Sequence, residues 1–244
     1  MCTISLVPLS GFKNSFILTS NRDEAVGRET LPPEFKSLNG VKALFPQDKV
    51  AGGTWIGVSE YKHAICLMNG AFEKHERKDN YRKSRGLIVT DLLEAQDAVD
   101  TIENYNFQDI EPFTLILVDW KKGLEFYQLV WDGQKKHFKQ LELRDHIWSS
   151  SPLYDKTAKR MRKDWFEEFK RSKELTAENI LKFHHNAGTG DKNTDLIIDR
   201  GFLKTQSITQ IKSVNSEIDF WYENLKDHKV TKEKWNLVDS ERSA

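Results

Sequence analysis

The chain has 244 residues, a length that suits one large domain with a sizeable hydrophobic core. Its 37 lysines and arginines balance 37 aspartates and glutamates, which excludes the basic footprint of a nucleic-acid-binding protein. The longest apolar runs, such as residues 113–118, are too short to span a membrane, and no basic region precedes the apolar N-terminus as in a secretory signal. We therefore expect a cytoplasmic protein without a membrane span.

Short runs of β-branched and apolar residues, bounded by turn-forming residues, predict strands in three blocks of the chain. These runs are residues 3–7, 15–19, 54–59, 63–68, 113–118, 124–130, 137–143, 196–198, 207–211 and 218–222. The first four are spaced as two hairpins, and Asp132-Gly133 is a strong hairpin turn. Between those two hairpins we expect a proline-bearing loop at residues 30–35 and a polar connection that leads to Gly53.

Apolar residues at intervals of three and four predict helices between the strand blocks. The predicted helices follow Ser84 as an N-cap and cover residues 97–104, 156–173 and 176–185. The charge-rich segment 73–83 is predicted to be a solvated loop or helix start.

The order of elements is strands, helices, strands, helices, strands. Hairpins in separate blocks predict an α+β fold in which antiparallel sheets carry helices on their outer faces. No segment within residues 1–225 is poor enough in apolar residues to separate two domains. We predict a single domain over residues 1–225, followed by a polar C-terminal tail at residues 226–244.

Two cysteines, Cys2 and Cys66, are too few for a disulfide framework or a closed zinc site. Cys66 lies in an apolar run and is expected to be a small core residue. Removal of Met1 would leave Cys2 with a free α-amine, which titrates near about 8 and can act as a general base beside the thiol. By position alone, however, a cysteine next to the initiator is better explained by chance.

A charged block, Asn21-Arg22-Asp23-Glu24, follows the second predicted strand. If residues 3–7 and 15–19 pair as a hairpin, their far ends meet and bring this block near Cys2. A guanidinium there would favour the thiolate, and a carboxylate would hold the α-amine or orient the arginine. A charged surface turn is the alternative interpretation of the same four residues.

These residues, taken together, resemble a known family. Met1-Cys2-Thr3, the Asn21-Arg22-Asp23-Glu24 block and Gly52-Gly53-Thr54-Trp55 look like the NRDE family, also called the transport and Golgi organisation protein 2 family. The resemblance extends over about residues 1–225. The spacing of the second and third motifs is what makes it specific.

That family is similar to N-terminal-nucleophile hydrolases of the bile-salt hydrolase and penicillin V acylase type. Those enzymes are four-layer αββα sandwiches of two antiparallel sheets, and they cleave amide bonds with an N-terminal cysteine. The resemblance implies that Cys2 is the nucleophile, that Arg22 lies beside it and that Asp23 holds the α-amine. It also implies that Asn69 lines an oxyanion hole.

The remaining site residues follow from the same resemblance. Asn21 belongs to the motif, and Trp55 is expected to pack against or wall a pocket. Ser150 stands where the hydrolases carry a second oxyanion-hole asparagine, and this departure weakens the case for catalysis because a hydroxyl is shorter and rotates. Arg200 is a candidate for the hydrolases' late arginine.

Three functions remain open from the sequence. The first is an amide or thioester hydrolase that uses Cys2. The second is a non-catalytic carrier of haem, a lipid or an acyl-CoA on the same fold, since the family is implicated in haem trafficking and lipid homeostasis. The third is an interaction protein with a degenerate pocket. No cofactor is required for the first function, and haem enters only as a ligand.

Two adjacent histidines, His184 and His185, end a predicted helix. We interpret them as cations that offset the helix dipole. Neighbouring residues on a helix point apart, so the pair would chelate a metal poorly. No metal site is predicted.

Overall fold

A computed structural model of the protein describes residues 3–237; Met1, Cys2 and residues 238–244 lie outside the described part. Within residues 3–237 the strands, in chain order, are β1 (Thr3–Pro8), β2 (Phe16–Ala25), β3 (Thr30–Leu38), β4 (Val41–Asp48), β5 (Ile56–Ser59), β6 (His63–Asn69), β7 (Phe113–Asp119), β8 (Glu125–Trp131), β9 (Lys136–Leu141), β10 (His146–Ser149), β11 (Leu203–Val214), β12 (Glu217–Asn224) and β13 (Lys229–Asn236). The helices are α1 (Arg85–Glu94), α2 (Ala98–Asn104), α3 (Lys156–Ser172) and α4 (Ala177–Asn186).

The strands form two antiparallel sheets. Sheet A has six strands in the order β10-β1-β2-β11-β12-β13, and sheet B has seven in the order β3-β4-β5-β6-β7-β8-β9. The large apolar cluster draws on both sheets: Ile4, Leu6, Phe16 and Leu18 from sheet A pack with Ile56, Cys66 and Ile116 from sheet B. The hydrophobic core therefore lies largely between the sheets.

The helices cover the outer faces of this pair of sheets. α1 packs on β5 and β6 of sheet B, and α2 packs on α1. α3 packs on β10 and α4 on β2 and β11 of sheet A. A second apolar cluster, which includes Val7, Ile17, Phe166 and Ile180, joins those helices to sheet A. The predicted αββα sandwich of antiparallel sheets is confirmed.

The proline-bearing loop predicted at residues 30–35 is instead part of strand β3. β3 is the edge strand of sheet B, and its register with β4 is irregular between Leu31 and Glu34, where Pro32 and Pro33 lie. An edge strand tolerates proline because one row of its N–H groups needs no partner. The polar connection predicted after it contains β4.

The segment predicted to be a polar tail contains strand β13, which pairs along its length with β12. Its sequence is rich in lysine because it is the edge strand of sheet A, and exposed lysines protect an edge from pairing with other chains. That polarity concealed the strand. The short strand β10 also went unpredicted, and the strand predicted at residues 196–198 lies outside the named strands.

Candidate functional site

The register of β1 sets the geometry of the site. Thr3 pairs with Asn21 on one side and with Ser149 of β10 on the other. Cys2, the predicted nucleophile, lies outside the described residues. Because side chains alternate along a strand, Arg22 points to the opposite face of β2 from Asn21 and Asp23.

Arg22 is 2% exposed and makes a charged pair with a residue that the sequence did not single out. Its Nη2 lies 2.6 Å from Oδ2 of Asp48, and its guanidinium lies 4.7 Å from the centre of the Trp55 ring. Arg28 donates from Nε to the same Asp48 oxygen at 2.7 Å. Burial lowers the pKa of Arg22, and the carboxylates of Glu24 and Asp48 oppose that shift.

The carboxylate of Asp48 is fixed from both sides. Oδ1 accepts hydrogen bonds from the backbone N–H groups of Val50 (3.0 Å) and Ala51 (2.9 Å), while Oδ2 faces the two arginines. Burial disfavours its charge, but the N–H of Ala51 and the cations of Arg28 and Arg22 hold the pKa of Asp48 below its ordinary value. Arg22 is thus anchored by a rigid, ionised partner.

Arg22 opens into a cavity of about 360 Å³ that also includes Trp55 and Asn69 in its walls. The lining is rich in charge; its cations and acids are Arg22, Arg28, Arg77, Lys83, Arg85, Glu24, Asp48, Asp79 and Glu111. Several of these are paired: Nη2 of Arg85 lies 3.0 Å from Oε2 of Glu111, and Lys83 donates to Asp91. We call this space the Arg22 cavity. Its walls offer charged and amide groups to a ligand.

The glycines of the Gly-Gly-Thr-Trp motif shape one side of the Arg22 cavity. A Cβ on Gly53 would lie 2.4 Å from the carbonyl carbon of Gly86, in the first turn of α1. The N–H of Thr54 donates to the Gly86 carbonyl at 3.2 Å. The motif therefore allows two backbones to touch, and it positions Trp55 against Arg22.

Asp23 lies among hydroxyl groups on the other face of β2 and is 2% exposed. Tyr154 donates from Oη to Oδ2 at 2.8 Å, and Thr205 donates from Oγ1 to Oδ1 at 2.6 Å. The ring of Tyr154 is flanked by the guanidinium carbons of Arg162, 3.2 Å from its centre, and Arg200, 5.3 Å away. The two hydroxyls hold the carboxylate of Asp23, and the two cations hold the ring of Tyr154.

Asn21 makes hydrogen bonds that join β2 to α4. Its Nδ2 donates to the carbonyls of His184 (3.1 Å) and Leu196 (2.8 Å), and its Oδ1 lies 2.6 Å from Nδ1 of His184. Since an amide oxygen only accepts, His184 carries its proton on Nδ1, and its Nε2 accepts from Ser5 Oγ at 2.7 Å. Asn21 thereby fixes the end of the helix to the sheet.

His184 is not the cation that the sequence suggested. It is fully buried, and that burial lowers its pKa to about 3, so the ring is neutral. His185 is partly exposed and lies 2.9 Å from Oε2 of Glu223. Among residues 3–237, no group of three or more His, Cys, Asp or Glu side chains could hold a metal ion.

Ser150 contacts the backbone of Asn69. Its Oγ donates to the Asn69 carbonyl at 2.7 Å, and Ser150 is fully buried. The next residue, Gly70, has a φ of +82°, and a Cβ there would lie 2.2 Å from Pro152. The two loops touch at Gly70, which holds Asn69 at the rim of the Arg22 cavity.

Of the site residues that the sequence suggested, the Arg22 cavity brings together Arg22, Trp55 and Asn69. Asn21, Asp23, Ser150 and Arg200 do not line it; Asp23 and Arg200 both contact Tyr154 instead. Sequence reasoning missed Asp48 and Tyr154. The sequence offered a signal for Tyr154, which lies two residues after Ser149-Ser150-Ser151-Pro152, the segment that contains Ser150. Asp48 precedes the Gly-Gly motif, and no pattern in the sequence marks it.

A family model described as "Transport and Golgi organisation 2" matches residues 1–232. The chain belongs to the transport and Golgi organisation 2 family. In this member of the family, the Asn-Arg-Asp-Glu block is divided by strand alternation. Arg22 faces the cavity, while Asn21 and Asp23 hold the helices and loops outside sheet A.

Solved structures similar to this family member are N-terminal-nucleophile hydrolases. Penicillin V acylase from Agrobacterium tumefaciens is 12% identical with a TM-score of 0.60, covering 98% of this chain and 88% of that one. A variant of conjugated bile acid hydrolase from Clostridium perfringens is 11% identical with a TM-score of 0.57, covering 97% and 94%. The Caenorhabditis elegans ortholog of N-acylethanolamine-hydrolyzing acid amidase is 12% identical with a TM-score of 0.59, covering 86% and 92%. At these identities the likeness establishes the shared fold.

No curated protein sequence matches the chain. Within residues 3–237, none of the helices is long and apolar enough to cross a membrane. Cys66 is fully buried, as predicted, and burial raises the pKa of its thiol to about 12.

Proposed function

We propose that this member of the transport and Golgi organisation 2 family hydrolyses an amide or thioester bond with Cys2 as the nucleophile. Removal of Met1 frees the α-amine of Cys2, which takes the proton of the Cys2 thiol. The thiolate then attacks the carbonyl carbon of the substrate. The amine or thiol leaving group then receives that proton. Water attacks the resulting thioester and releases the acid, which restores the thiol.

The observation that carries the proposal is the pairing of Thr3 with Asn21. Cys2 directly precedes Thr3 in the sequence, and Arg22 and Asp23 directly follow Asn21. In the proposal the carboxylate of Asp23 binds the α-amine of Cys2. That carboxylate accepts hydrogen bonds from the hydroxyl groups of Tyr154 and Thr205, which orient it. It assigns electrostatic support of the thiolate to Arg22.

Asn69 is the proposed oxyanion donor. Its side chain lines the Arg22 cavity, and within the described residues the structure records no hydrogen bond from its amide nitrogen. An amide N–H that is aimed at a developing oxyanion lowers the barrier by about 3–4 kcal/mol. We expect Asn69→Ala to reduce kcat by about 10²–10³-fold if that role is correct.

The decisive experiment separates Cys2 from Cys66. The intact mass of the purified protein is first measured by mass spectrometry, because a retained Met1 would block the α-amine of Cys2 and contradict the proposal. Wild type, Cys2→Ala and the matched control Cys66→Ala are then assayed on amide and thioester substrates. We expect loss of turnover only in Cys2→Ala; equal turnover in all three would refute the assignment.

Alkylation provides a second measurement on the same variants. Cys66 should resist iodoacetamide in the folded protein because its buried thiol stays protonated far above neutral pH. We expect one alkylated cysteine in native wild type, two in denaturant, and none in native Cys2→Ala.

A non-catalytic carrier is the second candidate, and the bonding of Ser150 favours it. Its hydroxyl proton is directed at the carbonyl of Asn69, so it does not supply a second oxyanion donor. A carrier would bind haem or an acyl-CoA without turnover. Titration of the Cys2→Ala variant with each ligand tests it, because binding at 100 times Kd raises stability by about 2.7 kcal/mol. Absence of both a spectral shift and thermal stabilisation would exclude it.

A further inference from the structure

A second and larger cavity lies on the other side of β6 from the Arg22 cavity. Leu67 and Asn69 line the Arg22 cavity, whereas Met68 lines the second cavity, as expected for alternating side chains of one strand. The second cavity has a volume of about 700 Å³ and lies between β10 of sheet A, β8 and β9 of sheet B, and α3. We call it the interlayer cleft.

The wall of the interlayer cleft is mixed, with apolar side chains among its polar and charged groups. Met68 is cross-strand neighbour to Thr114, which is in turn neighbour to Val130, and all three line the cleft. Trp148 of β10 and Phe166 of α3 line it from the other side. Met68, Val130 and Phe166 are almost fully buried and form the floor of the cleft. Leu141, Ile147 and Trp148 also line it, are partly exposed and offer an alkyl chain an apolar surface. The volume is in the range of small-molecule pockets.

The mouth of the cleft carries lysines without ion-pair partners. Lys159 and Lys163 are one turn apart on α3, and Lys139 faces them from β9; all three line the cleft. Among the described residues, no acid lies within ion-pair distance of any of the three, although Glu73 lies near enough to Lys159 to favour its charge. Like charges at positions i and i+4 destabilise a helix, so this pair is unfavourable as it stands.

The acids that line the cleft do not neutralise these lysines, because each has another partner. Asp145 and Glu167 both bond to Lys170, Glu167 at 2.8 Å. Asp164 lies 3.9 Å from Arg160. The mouth therefore keeps a positive charge. Half-burial and the charge of Lys163 lower the pKa of Lys159, and the weaker influence of Glu73 does not cancel that shift.

We infer that the interlayer cleft binds a single-chain amphipathic carboxylate, with its alkyl chain against Leu141, Ile147 and Trp148 and its carboxylate between Lys159 and Lys163. A carboxylate there would relieve the repulsion of the two lysines, and the alkyl chain would cover the three partly exposed apolar side chains. The inference uses other residues than the hydrolase proposal, because none of these groups lines the Arg22 cavity.

The test uses dodecanoate as the probe and dodecanol, which has the same chain length without the charge, as its control. Isothermal titration on the full chain is expected to give one dodecanoate per protein and at least tenfold weaker binding of dodecanol. The variant Lys159→Gln/Lys163→Gln should weaken dodecanoate binding tenfold or more and leave dodecanol binding unchanged.

The matched control is Lys156→Gln/Arg171→Gln, which removes two cations from the same helix at positions outside the cleft and leaves the Arg160–Asp164 pair intact. It should leave the affinity for dodecanoate within twofold of wild type. Bromine at the end of the chain should quench tryptophan fluorescence, and Trp148→Phe should remove most of that quenching.

Three results would overturn the inference: no saturable binding of dodecanoate, several molecules bound per chain, or equal weakening by the two charge variants. Cys2→Ala separates the two proposals. If it binds dodecanoate like wild type but no variant hydrolyses a substrate, the cleft assignment stands and the hydrolase assignment fails.

Discussion

Tyr154 donates its phenolic proton to Oδ2 of Asp23 across 131 positions of sequence, at 2.8 Å and with both residues buried. The bond links the loop after β10 to the strand that carries the Asn-Arg-Asp-Glu block. Because the guanidinium of Arg162 lies 3.2 Å from the centre of the Tyr154 ring, the phenol has little freedom to turn away. Asp23 is therefore oriented by a residue of a loop that is distant in sequence.

We predict that Tyr154→Phe lowers the free energy of unfolding by about 2 kcal/mol, the typical loss for a hydrogen bond to a buried charged group. The ring and its contacts with Arg162 and Arg200 remain, so the change isolates the hydroxyl. Urea titration measures it. Tyr127→Phe is the matched control, since its hydroxyl bonds to the carboxylate of Glu125 at 3.1 Å in a partly exposed position. Equal losses of unfolding free energy in the two variants would mean that the bond to Asp23 stabilises the fold no more than a partly exposed hydrogen bond does.

The second prediction concerns pH. Burial lowers the pKa of His184 to about 3 and that of His63 to about 4. Each histidine takes up a proton more readily when unfolded, so its contribution to stability is present above about pH 6.5 and is lost as pH falls towards the folded value. Between pH 7 and pH 5 each should reduce the free energy of unfolding by about 2 kcal/mol.

Urea titrations at pH 7 and pH 5 test this prediction. His184→Gln should be less stable than wild type at pH 7, yet its stability should fall less on acidification. His137→Gln is the control because that ring is exposed and bonded to Asp132 at 2.7 Å. If wild type and His184→Gln lose the same stability between the two pH values, the buried neutral histidine is not the cause.

Much of the fold was predictable because its central elements follow simple periodic patterns. The helix at Lys156–Ser172 begins after Asp155, whose side chain accepts from the N–H of Ala158, and its apolar face was visible in the sequence. The edges of the sheets were not predictable in the same way. β13 and β3 carry lysines or prolines that protect an edge, and such residues resemble a loop in a single sequence.

The site was predictable only where a motif carried it. The motifs placed Arg22 and Trp55, which do lie together, and the resemblance to the hydrolases added Asn69, which lines the same cavity. The partner of Arg22 was hidden because Asp48 lies 26 positions away and no local pattern marks it. Likewise the neutral state of His184 depends on burial by elements distant in sequence, which a position at a helix end cannot reveal.

The third prediction tests the anchor of Arg22. Asp48→Asn keeps an oxygen that can accept from Val50 and Ala51 but leaves the buried guanidinium without its nearest anion. Removal of one partner from a buried ion pair costs about 3–5 kcal/mol, and we expect a loss of stability in that range.

Glu29→Gln is the matched control for Asp48→Asn. It removes a carboxylate that pairs with Lys49 at 2.9 Å on the surface, and exposed pairs contribute little. Its melting temperature should stay close to wild type. A similar shift in both variants would show that Asp48 does not anchor a buried charge.

The last prediction tests the contact between the Gly-Gly-Thr-Trp motif and the start of α1. The Cβ of Gly53→Ala would lie 2.4 Å from the carbonyl carbon of Gly86, and since both groups are backbone, no side chain can turn aside. Overpacking of this kind costs about 1–3 kcal/mol. Gly123→Ala is the control, because its Cβ meets no atom within 4 Å. We expect thermal unfolding to separate the two variants clearly.

Gly53→Ala should also displace α1 and Trp55 and so change the Arg22 cavity, which makes any ligand of that cavity bind more weakly. If Gly53→Ala has the same melting temperature as wild type, the two backbone segments can move apart without cost, and the motif does not require glycine at this position.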